Sequence, residues 1–226
     1  THPELAQGWL ALGDLLRQQD KFAQAVPAYD KALSLIGDGS PEMRWFPLYA
    51  RGIALERAGQ FQKAEADFRA ALKIRPDSAQ VLNYLGYSLV DRNENLDEAL
   101  KLIQRAVELR PDDGYILDSL AWAYYRLGRY DEAVAPMERA VAAMASDSLV
   151  NDHMGDIYWM VGREREAEIQ WHRAQSLKPQ TEAEAHRIRA KLDRGLDEVL
   201  AEEKANGGKL PPPPPAPEPA QDEAAD

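Results

Sequence analysis

A chain of 226 residues with 45% apolar and 29% charged residues has the composition of a globular protein, and it contains no run of 18 uninterrupted apolar residues that could form a membrane-spanning helix. Cysteine is absent, which excludes disulfides, Cys-ligated zinc and thiol catalysis while fitting the cytoplasm and the periplasm equally. The net charge of −11 includes four carboxylates in the last nine residues, and an acidic body repels phosphate backbones, so no nucleic-acid partner is expected.

In chain order, the sequence is built of units recurring about every 34 residues. Residues 1–5 read as the end of a preceding repeat, because Pro3 stands where the terminal proline of an earlier unit would fall. The array is therefore expected to continue upstream, where a signal peptide or lipid anchor would also lie. The first unit, 6–39, carries Trp9, Leu12, Gly13, Leu16, Phe22, Ala25, Tyr29 and Ala32. An insert loop, 40–44, follows and is expected to loosen the joint to the second unit. That unit, 45–78, has Leu48, Gly52, Leu55, Gly59, Phe61, Ala64, Phe68, Ala71 and Pro76. The third, 79–113, repeats the frame as Leu82, Leu85, Gly86, Leu89, Ala99, Ile103, Ala106 and Pro111. The fourth, 114–147, has Leu117, Leu120, Ala121, Tyr124, Gly128, Ala133, Met137 and Ala140. The fifth, 148–181, has Asn151, Met154, Gly155, Tyr158, Gly162, Ala167, Trp171, Ala174 and Pro179.

Each recurring position has a physical reason. Apolar residues three and four apart line one face of a helix. The Gly or Ala eighth in each unit and the Ala twentieth fit where two helices of a hairpin approach closely. Gly59, Gly128 and Gly162 end first helices at a position needing positive φ. The third unit has Asp91-Arg92-Asn93-Glu94-Asn95 there, and Asn93 or Asn95 can take the left-handed role. Pro76, Pro111 and Pro179 stop second helices. Pro27 and Pro136 are placed in the first turn of a second helix, where proline is tolerated.

Residues 182–205 read as one amphipathic capping helix with Ile188, Leu192, Leu196, Val199 and Leu200 on one face. Residues 206–226 form a Pro-rich acidic tail. Asn206-Gly207-Gly208 breaks the helix, Pro211 to Pro215 favour polyproline II, and the acidic end has too little to bury to fold. The tail reads as a spacer rather than as a ligand for an aromatic groove.

No catalytic constellation emerges. His153 and His172 fall in the two helices of one hairpin, but no His-Glu-x-x-His or carboxylate–His set with metal spacing occurs. Gly-rich phosphate loops are also missing, and Asp112-Asp113 reads as a helix start. No enzyme activity, metal or cofactor is expected.

The repeat over residues 6–181 resembles the tetratricopeptide-repeat (TPR) family. The resemblance implies an all-α fold, a TPR right-handed α-solenoid of five helical hairpins plus a C-terminal capping helix. It also implies a groove lined by the first helices, which takes a protein or peptide partner. The family's groove positions map onto Phe46, Tyr49, Ile53, Glu56 and Arg57 in the second unit. In the later units they map onto Asn83, Tyr87, Tyr115, Asp118, Trp122, Tyr125, Arg126, Asp152, Asp156 and Trp159. These positions lack the Lys, Arg and Asn set with which chaperone-binding members hold a terminal carboxylate. Their mix of acids and aromatics points to an apolar partner segment with basic residues.

Residues 48–57, 82–92 and 112–120 resemble, more narrowly, proteobacterial envelope proteins that include lipoprotein adaptors of carboxyl-terminal processing proteases. That likeness implies an adaptor in the periplasm or anchored at the outer membrane, with a processing protease or its substrates as partners. A cytoplasmic scaffold or assembly factor, and the interaction domain of a larger enzyme, stand as alternatives.

Overall fold

The structure, a computed structural model, describes residues 3–38 and 40–211, and every regular element among them is a helix. The helices follow one another as antiparallel hairpins in chain order: α1 (Pro3–Gln18) with α2 (Phe22–Ile36), α3 (Pro41–Arg57) with α4 (Phe61–Ile74), and α5 (Ala79–Asp91) with α6 (Leu96–Leu109). Then come α7 (Gly114–Arg126) with α8 (Tyr130–Ala143), α9 (Ser148–Met160) with α10 (Glu164–Ser176), and α11 (Glu182–Arg194) with α12 (Leu196–Ala205). They group into two compact units, residues 1–145 and residues 146–226. The all-α TPR solenoid architecture expected from the repeat is present.

Local chemistry sets the hairpins. The chain reverses at Gly59, Gly128 and Gly162 with φ of 75°, 71° and 77°, where a Cβ would be strained. Asn93 and Asn95 take the left-handed conformation together in the longer turn of the third hairpin, and Asp20 does so in the first. Two helices then meet through a small residue facing a large one. A Cβ on Gly13, Gly52, Gly86 or Gly155 would come within 2.3–2.7 Å of Tyr29, Phe68, Ile103 or Trp171 respectively. In the fourth hairpin Ala121 takes the small role and the unbranched Met137 the large one, both fully buried. The alanine twentieth in each unit (Ala25, Ala64, Ala99, Ala133 and Ala167) has no exposed surface at all.

These contacts join into a continuous core in the first unit. Leu33, Leu48, Leu55, Phe68, Leu85, Leu89 and Ile103 pack together from α2 through α6. Overpacking this seam should cost about 1–3 kcal/mol. Ala133→Leu is therefore expected to lower the thermal midpoint clearly, whereas Glu138→Leu on the exposed side of α8 should change stability by about 0.5 kcal/mol or less. Equal losses, read by circular dichroism melts, would contradict the register.

Four boundaries differ from the sequence reading. Residues 3–5 belong to the first turn of α1 rather than lying ahead of it, and a leading proline is tolerated there. Residues 40–44 are not a loop. Pro41 starts α3, so the insert lengthens that helix to 17 residues. Arg44 donates to the carbonyl of Gly37 at 2.8 Å, tying the end of α2 to the start of α3 where a loosened joint was expected.

Pro27 and Pro136 sit one turn later than expected, inside α2 and α8, because the preceding turns close directly onto Phe22 and Tyr130. Finally, residues 182–205 form two helices rather than one, broken at Gly195 with φ 83°. The helix α11 starts 34 residues after α9 and has the same 13 residues. It occupies the register of a further first helix, and the ten-residue α12 is a shortened second one. In this second unit Trp171, Met154, Ile157, Ile188, Leu196 and Val199 are buried. The predicted polyproline and acidic segment lies outside the described residues from position 212 onward.

Candidate partner-binding face

In the first unit, α3, α5 and α7 succeed one another side by side and present aromatic side chains along their flank. Trp45 and Tyr49, one turn apart on α3, stack with ring centroids 5.8 Å apart. Tyr84 of α5 meets Tyr49 edge-on at 5.6 Å and stacks at 6.1 Å on Phe68, which closes the ladder from below. Above Trp45 lies the guanidinium of Arg75, 4.3 Å from the ring centroid, a cation–π contact. Further along, Trp122 and Tyr125 of α7 stack at 4.5 Å with nearly parallel planes, and Tyr115 at the start of α7 is 64% exposed.

Of the first-unit positions expected to face a partner, Tyr49, Asn83, Tyr87, Trp122 and Arg126 are half-buried and Tyr115 is exposed. Ile53 is instead part of the apolar core, and Asp118 and Tyr125 are buried. Their burial follows from the helix period: these side chains turn toward the neighbouring helix rather than outward. Arg126 reaches back to the carbonyl of Asp91 at 3.4 Å, so it also braces α7 on α5. Asn83 keeps its Oδ1 buried with no donor within the protein.

Two residues of the ladder, Trp45 and Tyr84, escaped the sequence reading because they stand first and sixth in their units. The signal was there for Trp45, an aromatic pair four residues apart on one helix. Tyr84 needed the neighbouring helix to be placed before its pairing with Tyr49 could be seen.

Electrostatics at this face is mixed. Burial pushes the hydroxyls of Tyr49, Tyr84 and Tyr87 up from their ordinary value, so they remain neutral donors. The positive charges of Arg17 and Arg110 act on Tyr49 against that burial, and Arg17 and Arg57 act likewise on Tyr84. Burial also raises the carboxyl of Glu56.

In the second unit the expected acids are spent internally. Lys191 of α11, 1% exposed, donates to Asp152 at 2.5 Å and to Asp156 at 2.6 Å. Asp156 also accepts from Arg187 at 2.9 Å and from the indole of Trp171 at 2.9 Å, with none of its surface exposed. Burial works to raise Asp156, but Lys191 and Arg187 outweigh it and hold the carboxyl at about 2. For Asp152 burial is the stronger influence and its carboxyl is pushed up despite Lys191. Trp159 packs over Gly195 and donates to Asp197. Asp152, Asp156 and Trp159 therefore hold α11 and α12 in place rather than facing an open groove. Among the described residues, no group of three or more His, Asp and Glu is placed to hold a metal ion.

Two family models, both described as tetratricopeptide repeat, match residues 6–38 and the overlapping stretches 49–114 and 90–148, together more than half of the chain. The chain belongs to the tetratricopeptide-repeat family. Among curated relatives, the TPR repeat-containing protein PA4667 of Pseudomonas aeruginosa is 43% identical over 82 residues. That match covers 36% of this chain and 14% of the relative, so the chain corresponds to a small part of that protein's length.

Solved structures of similar fold include PilF of Pseudomonas aeruginosa, with a TM-score of 0.67 and 20% identity over 91% of this chain and 94% of that one. MamA of Desulfovibrio magneticus RS-1, from residue 41 to its end, gives a TM-score of 0.64 at 21% identity, covering 78% and 97%. At that identity the likeness is one of fold.

Proposed function

We propose that this TPR chain is a non-catalytic scaffold whose protein partner lays a segment across the aromatic face of the first unit. The observation that carries this reading is the contiguous ladder of Trp45, Tyr49 and Tyr84, capped by Arg75 and continued by the exposed Tyr115. Large rings with a polar edge release much water when covered and dominate interface energies. The phenol groups of Tyr49 and Tyr84 supply polar contacts that fix a peptide's register. Residues 48–57, 82–92 and 112–120 favour a bacterial cell-envelope complex as the setting, with an adaptor for a processing protease as its specific form.

The double variant Trp45→Ala/Tyr84→Ala should weaken partner binding at least about tenfold, a loss of about 1.4 kcal/mol or more. Ile169→Ala, at an exposed position of α10, should leave it unchanged. Affinity capture with mass spectrometry identifies the partner, and calorimetry with that partner then measures the loss. Undiminished affinity in a folded double variant would overturn the placement on this face. Recovery of ribosomal and cytoplasmic chaperone proteins alone would sink the envelope setting.

A further inference from the structure

The aromatic ladder of the first unit has two cations at its edge. Arg75 and Arg110 close the second helices α4 and α6, and each is followed at once by a proline. They come together in the lining of one open cleft of about 490 Å³, with Trp45, Asp77, Ser78 and Gln80. Because Trp45 belongs to both, the cleft adjoins the ladder, and the guanidinium of Arg75 lies over that ring.

Little within the protein uses these two charges up. Glu42 reaches Arg75 only at 3.4 Å and is 72% exposed. Asp113 is 3.8 Å from Arg110, while its other oxygen caps α7. Exposed pairs at such distances are worth little, and each guanidinium keeps donors for a further carboxylate. Asp77, the acid in the lining, is engaged by Arg105 at 2.8 Å. The Ser78 hydroxyl makes no capping bond on α5, which leaves a neutral donor in the same lining.

We infer that the partner segment carries an acidic side chain, Asp or Glu, which bonds Arg75 and Arg110 in this cleft while flanking apolar residues cover Trp45, Tyr49 and Tyr84. This inference rests on the reading of the face as a peptide-binding surface and names the chemistry of its occupant. The sign is opposite to that of the basic segment expected from the sequence. That expectation counted positions on first helices only, whereas Arg75 and Arg110 stand at the ends of second helices. A carboxylate held by two guanidinium groups fixes the register of the segment and rejects a basic competitor.

A random dodecapeptide library displayed on phage tests this, with each peptide fused through its C-terminus so that only side chains supply carboxylates. Selection on the full chain should enrich Asp or Glu beside apolar residues. Exchanging the selected acid for its amide should weaken binding about tenfold, read by fluorescence anisotropy of the synthetic peptide. The same exchange should hardly matter in Arg75→Gln/Arg110→Gln, whose fold is checked by circular dichroism. Arg75→Lys/Arg110→Lys retains the charge and should keep the acidic preference. Enrichment of basic or uncharged peptides, or an acidic preference that survives Arg75→Gln/Arg110→Gln, would overturn the inference. If such peptides still depend on Trp45 and Tyr84, the scaffold reading stands without it. If binding ignores those rings, or no peptide is selected, both fail.

Discussion

Lys191→Met should destabilise the second unit by about 3–5 kcal/mol, the largest effect expected of any single substitution in this chain. The side chain is 1% exposed and bonds two carboxylates that are themselves buried, so its removal leaves uncompensated negative charge in an apolar setting. Hydrogen exchange at the backbone amides of α9 and α11 would report the loss locally. Removing the three central charges together is a different matter. Replacing Lys191, Asp152 and Asp156 by apolar residues of similar volume should recover only part of the loss. Those ions no longer need desolvating, but Arg187 and the buried indole of Trp171 lose their acceptor.

The two acids also separate by pH. Asp156 is held at about 2, below its ordinary 3.8, so its contribution is present above about pH 4 and fades as the pH falls toward 2. Asp152 is raised, so it has the opposite sign: it takes up a proton more readily folded than unfolded, and its charge works against folding at neutral pH. Asp156→Asn should thus cost clearly more than Asp152→Asn at pH 7, with the gap narrowing toward pH 2. A larger loss from Asp152→Asn at neutral pH would contradict this account.

Gly155→Ala is the second large effect. The added Cβ would lie 2.3 Å from Nε1 and 2.4 Å from Cδ1 of Trp171, a ring with no exposed surface whose nitrogen is bonded to Asp156. The ring cannot yield without breaking that bond, so a cost near 3 kcal/mol, the upper end of overpacking penalties, is expected. Gly59→Ala meets no atom and strains only a positive φ, which should cost about 1–2 kcal/mol. A smaller side chain at 171 should rescue Gly155→Ala in part, because the two positions share one space. Thermal midpoints of Gly155→Ala, Trp171→Leu and the double variant test this; strict additivity would refute it.

The repeat was readable from the sequence because its determinants are local and recur. Gly155 and Trp171 sit at a separation that Gly13 with Tyr29 and Gly52 with Phe68 repeat, and Gly86 with Ile103 adds the one residue of its longer turn. The face was readable only in part. A position number says which helix a residue lies on, but Ile53 and Asp118 turn inward once the adjacent helix is packed against them. The second unit was the hardest to read. Asp152 and Asp156 are four apart, as are Arg187 and Lys191, and such complementary pairs are the mark of two helices meeting. Reading 182–205 as one helix with a purely apolar inner face hid that match. A buried lysine looks like a solvated one until its neighbours are placed.

The charge lock on α11 has a consequence for how the second unit comes apart. Apolar contacts weaken gradually as a helix peels away, since each ångström of separation uncovers a little more surface. A desolvated lysine between two buried carboxylates has no comfortable halfway position, because partial separation leaves the ions neither paired nor hydrated. The helix α11 therefore leaves α9 in a single step rather than by fraying, and the amides of Arg187 and Lys191 exchange through one shared opening.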